Sequence, residues 1–268
     1  MIRARIAAVV ALAMLATALL PLVGVQASTR PDGPPPPVDL LPDMRMAPLY
    51  DFSLETTANG RTRLHFGTIG WNLGDGPIEA RGQKVDPNDD YMKVKQRIYN
   101  SAGGYRDRNT SAVSIFETGD HHHHWHIRQF MLAQLYKPGD PSEDVYGLRK
   151  IGYCLLDARQ KPNPPPASPP HPVYPLTACG GPNAHQFTMG LSVGYGDDYP
   201  PAFAHQWMDV TGLAPGTYRI CTTVDPLGEF KEKVETNNQR WTNVKINIPN
   251  HKVKVLGTGI GDCGPDVP

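Results

Sequence analysis

The chain has no excess charge of either sign: 26 Lys and Arg residues stand against 26 Asp and Glu residues, and only 19% of the chain is charged. That balance excludes broad electrostatic binding to nucleic acid or to an anionic membrane surface. Aromatic residues are sparse at 8%, yet the apolar share of 40% is that of a globular chain, not a disordered one. Long amphipathic runs of helical period are missing. In their place stand 26 Gly and 28 Pro residues, and each Pro inside a helix costs roughly 3 kcal/mol. A helical bundle, a coiled coil and a polytopic membrane protein are thereby excluded. One domain of about 200 residues is enough to bury a core.

Cysteine is scarce as well. Cys154, Cys179, Cys221 and Cys263 are the full set, and no Cys-x-x-Cys spacing suggests redox or zinc chemistry. There is no helical His-Glu-x-x-His, so the best-known zinc protease arrangement is absent.

What is present begins with an export signal. Arg3 and Arg5 precede an uncharged, largely apolar run from Ile6 to Val25, and Val25-Gln26-Ala27 supplies the small residues of a cleavage site. Residues 1–27 read as a signal peptide; the alternative for a run of this length is an uncleaved anchor. Losing Arg3 and Arg5 leaves 24 basic against 26 acidic residues, a formal charge of −2. The mature chain is expected to be secreted or extracytoplasmic, with no stable membrane association after cleavage. In an oxidising compartment four cysteines read as two structural disulfides. Three pairings are open; the favoured one joins Cys154 to Cys179 across a proline-rich insert and Cys221 to Cys263 to tie down the tail.

Residues 28–37 form a Pro-rich linker without the means to pack a core. Folded sequence runs over 38–250, followed by a tail at 251–268. Alternation predicts strands at Thr62–Trp71, with Leu64 and Phe66 on one face, and at Tyr91–Tyr99, with Met92, Val94, Gln96 and Ile98 on one face. Further strands are predicted at Ile127–Tyr136, Tyr218–Val224 and Trp241–Ile248, the last placing Val244, Ile246 and Ile248 together. Residues 161–175 hold eight prolines in fifteen positions and read as a loop insertion. Short strands and frequent turns give an all-β fold, a β-sandwich of antiparallel strands with long Pro/Gly-rich loops.

The most informative segment is Asp120-His121-His122-His123-His124-Trp125-His126. On a strand, His122, His124 and His126 project from one face, and His121, His123 and Trp125 from the other. Three imidazoles on one face can ligate one metal and leave positions open for water or substrate. The affinity order favours copper.

Four segments, in order, resemble the lysyl oxidase family of copper amine oxidases, over about Leu41 to Ile248. Leu41-Pro42-Asp43-Met44 is similar to the opening of that family's catalytic domain, and His122-x-His124-x-His126 to its copper motif. Arg149-Lys150-Ile151-Gly152-Tyr153-Cys154 resembles the segment with the cofactor lysine. Gly190 through Tyr199 to Gln206-Trp207-Met208-Asp209-Val210-Thr211 resembles the segment with the cofactor tyrosine. The sequence departs from the family where His121 replaces a frequent Cys, where one residue is missing after His126, in the proline-rich insert, and at Pro200-Pro201.

The resemblance implies copper on His122, His124 and His126, and a lysine tyrosylquinone made from Lys150 and Tyr199, with Tyr195 as the fallback in a slipped register. It implies oxidation of a primary amine or peptidyl lysine by oxygen to an aldehyde, with release of ammonia and hydrogen peroxide. Asp209 is the candidate general base, with Asp198 and Asp157 behind it. Asp43, Glu235, Asn237 and Asn238 gather hard oxygen donors that suit calcium, as similar family segments do. A copper-binding scaffold of the same fold without the quinone and a zinc-dependent hydrolase are the alternatives.

Overall fold

The computed structural model describes residues 35–117, 123–137, 147–261 and 263, the side chains of 147–150 excepted. The readings of 1–27 as a signal peptide and of His122 as a ligand lie outside the described residues.

Side-chain alternation builds strand after strand. β1 (Asp39–Leu40), β2 (Met44–Met46) and β3 (Tyr50–Thr56) lead into β4 (Thr62–Asn72), whose Leu64 and Phe66 are fully buried. After β5 (Ile78–Gln83), β6 (Tyr91–Asn100) buries Met92, Val94, Gln96 and Ile98 and leaves Lys93 and Lys95 exposed. A turn at Gly103, with the positive φ that glycine tolerates, returns the chain as β7 (Tyr105–Glu117). β8 (His124–Tyr136), β9 (Gly147–Tyr153) and the short β10 (Arg159–Gln160) follow. β11 (Gln186–Leu191), β12 (Tyr195–Tyr199) and β13 (Trp207–Asp209) come after the proline-rich segment. Last are β14 (Gly216–Val224), β15 (Gln239–Asn247) and β16 (Lys252–Ile260).

Two antiparallel sheets result, with no α-helix among the described residues. The larger has the order β11-β5-β6-β7-β8-β14-β15-β16, with β1 on β6 and β9 on β8. The smaller has the order β10-β12-β4-β13, with β2 and β3 also on β4. Leu64 and Phe66 from the smaller sheet and Met92, Ile127, Ala133 and Val244 from the larger share one apolar cluster, so the fold is the expected sandwich.

Ile248 departs from the expected pattern. β15 ends at Asn247, and Ile248 opens a 3₁₀ turn with Pro249, which has no N–H to continue a ladder; Val244 and Ile246 are buried, Ile248 only partly. Cys154–Cys179 and Cys221–Cys263 are the disulfides, as favoured from the sequence.

One strand changes neighbours along its length. Residues 124–127 of β8 pair with β7, and Met131–Tyr136 pair with β14. Along its other edge, Ile127 faces Tyr153 of β9 while Met131 faces Ile151, so β8 carries two extra residues between those pairs. Gln129, at φ +54°, takes up the bend.

Candidate metal centre and cleft

The histidine end of β8 follows the two-residue period. His124 and His126 bring their Nε2 atoms to 2.9 Å. Trp125 between them is buried, with Nε1 donating to the Gly181 carbonyl at 3.1 Å and the Phe116 ring edge-on at 5.6 Å. His123, just before the strand, is exposed. Two nitrogens each about 2.0–2.1 Å from one metal, at about 90° to each other, stand about 2.9 Å apart. The observed spacing therefore fits two adjacent ligands of a single ion. Among the described residues, no three His, Cys, Asp or Glu side chains gather as a metal site.

Neighbouring strands fix His126. Ser114 Oγ donates to its carbonyl at 2.8 Å. On the β9 side, a Cβ added to Gly152 would stand 3.2 Å from His126 Cβ and 3.1 Å from the Ile127 carbonyl oxygen. β9 comes this close only because residue 152 has no side chain.

Tyr199, the last residue of β12, meets this arrangement from the other sheet. Its ring lies edge-on to His126, with centroids 6.5 Å apart. It stacks on Tyr153 at 4.2 Å with an interplanar angle of 10°. The Cys154 N–H donates to its phenol oxygen at 3.1 Å. Tyr153 is itself anchored: its hydroxyl bonds Thr68 Oγ1 at 2.6 Å, and Thr68 bonds Gln206 Oε1 at 3.0 Å. Burial holds the Tyr199 phenol well above the ordinary tyrosine range; Asp197 adds to this, and the Cys154 N–H works against it. Sequence reasoning missed Tyr153, whose one signal was an aromatic directly before Cys154.

A cleft of about 320 Å³ opens here. His126, Gly152 and Tyr199 line it together, and Glu117, Arg128 and His205 are its other charged or titratable lining residues. His205 sits at φ +67° in the loop between β12 and β13.

The remaining site residues divide. The backbone of Lys150 lies on β9, paired with Leu132, two residues before Gly152; its side chain lies outside the described residues. Asp209 is not in the cleft lining. It pairs with Arg61 at 3.2 Å and accepts from the Thr211 N–H at 3.0 Å, contacts that hold it below the usual carboxylate range, the Thr211 bonds first. Those contacts tie Asp209 to the turn that follows β13. Asp198 pairs with Arg159 at 2.6 Å and accepts from the Tyr50 hydroxyl. Asp157 accepts from the N–H groups of Val173, Tyr174 and Ser192 and from Ser192 Oγ. Tyr195 donates to the Pro169 carbonyl at 3.3 Å, under the proline-rich segment.

A second polar cluster joins β2 to the segment before β15. Asn237 Nδ2 donates to Asp43 at 2.8 Å, and Asn238 Nδ2 donates to Glu232 Oε1 at 2.7 Å. The Met44 N–H donates to the other Glu232 oxygen. The side-chain oxygens of Asn237 and Asn238 are buried without a donor. Glu235, expected among the ligands, caps the turn by accepting from the Glu232 N–H at 2.9 Å. Glu232 was not anticipated; burial pushes its carboxyl up to about 8. A desolvated carboxylate beside orphaned amide oxygens suits a hard cation.

The profile of the Lysyl oxidase family matches residues 92–257. Lysyl oxidase homolog 3 of Homo sapiens is 33% identical over 75 residues, 28% of this chain and 10% of that protein. Lysyl oxidase homolog 3B of Danio rerio shares the same identity over 28% of this chain and 9% of its own length. The matched stretch thus spans about a tenth of the length of these curated relatives.

Proposed function

This chain belongs to the lysyl oxidase family, and on that premise we propose that it is an exported copper amine oxidase acting on primary amines or peptidyl lysine. One observation carries the reading: His124 and His126 converge at ligand spacing, and His126 meets the Tyr199 ring in the lining of one cleft. A bare metal-binding loop has no need of a buried tyrosine there.

His122, His124 and His126 would hold copper, whose charge favours a tyrosinate that burial alone opposes. Lys150 and Tyr199 would join as lysine tyrosylquinone, which supplies the electrophilic carbonyl through which amine, oxygen and water give aldehyde, ammonia and hydrogen peroxide. The rest falls to ordinary side chains. Tyr153 fixes the plane of the Tyr199 ring by stacking, and the Cys154 N–H fixes its oxygen. Gly152 lets β9 close on His126. Taking a proton from the substrate's α-carbon requires a base in the cleft, and we assign that role to Glu117 or His205. Asp43, Glu232, Asn237 and Asn238 would hold calcium and clamp β2 to the segment before β15, with Glu235 ordering their turn.

The test is intact mass and peptide mapping of protein matured with copper, together with a quinone stain on the denatured chain. A Lys150–Tyr199 crosslink and peroxide release from an amine are expected. Fully copper-loaded protein with neither stain nor peroxide over a broad set of amines would leave a copper-binding scaffold instead.

A further inference from the structure

A groove of about 750 Å³, larger than the histidine cleft, crosses β11, β5 and β6. Arg81, Lys84, Lys93 and Lys95 line it, and Asp107 is the one acidic residue in its lining. The pairing of β5 with β6 sets Arg81 directly opposite Lys95, and like charges in that position are destabilising. Local compensation is partial. Arg97 takes both oxygens of Asp107, at 2.7 and 3.0 Å, and Arg81 takes Glu79 at 2.9 Å. Those four charges cancel and leave Lys84, Lys93 and Lys95.

Lys84 donates to the Pro87 carbonyl and lies 5.5 Å from the centroid of the Trp125 ring. The side chains of Lys93 and Lys95 are exposed and make no hydrogen bond or ion pair among the described residues, although Lys95 lies near enough to Asp107 to favour its charged form. In the acidic turn between β5 and β6, Asp86 and Asp89 bond backbone N–H groups of the turn itself, and neither lines the groove. The lining itself, with Arg81, Lys84, Lys93 and Lys95 against Asp107 alone, therefore carries an excess of three positive charges in one concave surface.

We propose that this groove binds an extended acidic peptide segment with carboxylates on alternate residues. Lys93 and Lys95 stand two residues apart on β6, about 6.8 Å, and the same-face side chains of an extended peptide repeat at that same distance. Opposite Lys93 lies Gln83, and next to it Gln186 of β11; opposite Arg81 lies Thr188. These amides and this hydroxyl face a peptide backbone, while the ammonium groups, on flexible stems, meet its carboxylates. The inference does not depend on the amine oxidase reading.

The test uses copper-free mature protein, so the fate of the active-site reading does not enter. A labelled peptide of four Glu-Thr repeats is titrated at low salt and followed by fluorescence anisotropy. Saturable binding is expected, weakened by salt and about tenfold or more by Lys93→Gln with Lys95→Gln. The control pair Lys252→Gln with Lys254→Gln, on β16, is expected to leave it unchanged. A peptide of equal length with its four glutamates in one block is expected to bind more weakly. No saturable binding, an equal loss in the control pair, or equal binding of the block peptide overturns the proposal. Tighter binding of polygalacturonate overturns it too, by giving the groove to a glycan.

Discussion

Replacing Gly152 with Ala adds a single methyl group at the back of the candidate metal centre. That methyl would sit 3.1 Å from the Ile127 carbonyl oxygen and 3.2 Å from His126 Cβ, a few tenths of an ångström inside ordinary contact. Neither neighbour is a loose side-chain end. Ile127 pairs with both β7 and β9, and His126 Cβ is fixed to the same strand, so the strain displaces the imidazole. Metal–ligand distances tolerate only about 0.2 Å. The expected loss of copper affinity is about tenfold to hundredfold, the range seen when groups supporting a ligand are changed, or about 1.4–2.8 kcal/mol. Overpacking should also cost the copper-free protein about 1–3 kcal/mol, leaving it folded if its starting stability is ordinary. Copper titration against a competing chelator measures the first effect, and urea unfolding the second. Gly181→Ala is the control, because a Cβ there meets nothing within 4 Å. A folded Gly152→Ala protein with unchanged copper affinity, or an equal loss in the control, would falsify the claim that β9 sets the position of His126.

Further outcomes follow from the same geometry. His124→Ala should abolish tight copper binding while His123→Ala leaves it, measured as bound copper after dialysis, because His124, unlike His123, shares a face with His126. Cys179→Ser opens a disulfide spanning 25 residues and should lower stability by about 3.5 kcal/mol, read from the urea midpoint; denatured, unreduced wild type should titrate no free thiol. Asp209→Asn should keep amine oxidation, whereas Glu117→Gln or His205→Gln should lower kcat by about 10²-fold or more. The Asp209 contribution to stability, from a carboxyl held below its unfolded value, should be present at neutral pH and vanish as pH falls through that lowered value, which Asp209→Asn abolishes. Calcium at about a hundred times its Kd should stabilise the protein by about 2.7 kcal/mol, and Asn237→Ala should remove most of the rise in Tm.

Period-two patterning was readable wherever one side of a strand meets the core. Met92, Val94, Gln96 and Ile98 announce the buried face of β6, and the alternation of His124 and His126 their shared face on β8, because both rest on local backbone geometry alone. Features that arise from contacts between distant segments were not readable. The two extra residues between Ile127 and Met131 leave no mark in composition. Asp209's contact with Arg61 was not legible either, because the two lie far apart in the chain and only the pairing of β13 with β4 brings them together. Glu232 and Glu235 look equivalent along the chain; folding buries the carboxyl of the first and turns the second back onto the backbone of the first. Tyr153 becomes meaningful only when β12 brings Tyr199 over its ring.

The change of partners along β8 divides the strand into two cooperative neighbourhoods. Amide protons of Met131–Leu135 are held between β14 and β9, deep in the sheet, and should exchange only with global unfolding. Those around His124 and His126 depend on the short ladder to β7, with Ile127 the last residue that faces β9. A strand hinged in this way can open its histidine end by a sub-global excursion while the sandwich stays closed. Loading a metal ion then needs no unfolded chain. In hydrogen exchange, copper should slow the amides of His124–Ile127 and their β7 partners Ser114–Glu117, and leave the rates along β14 unchanged.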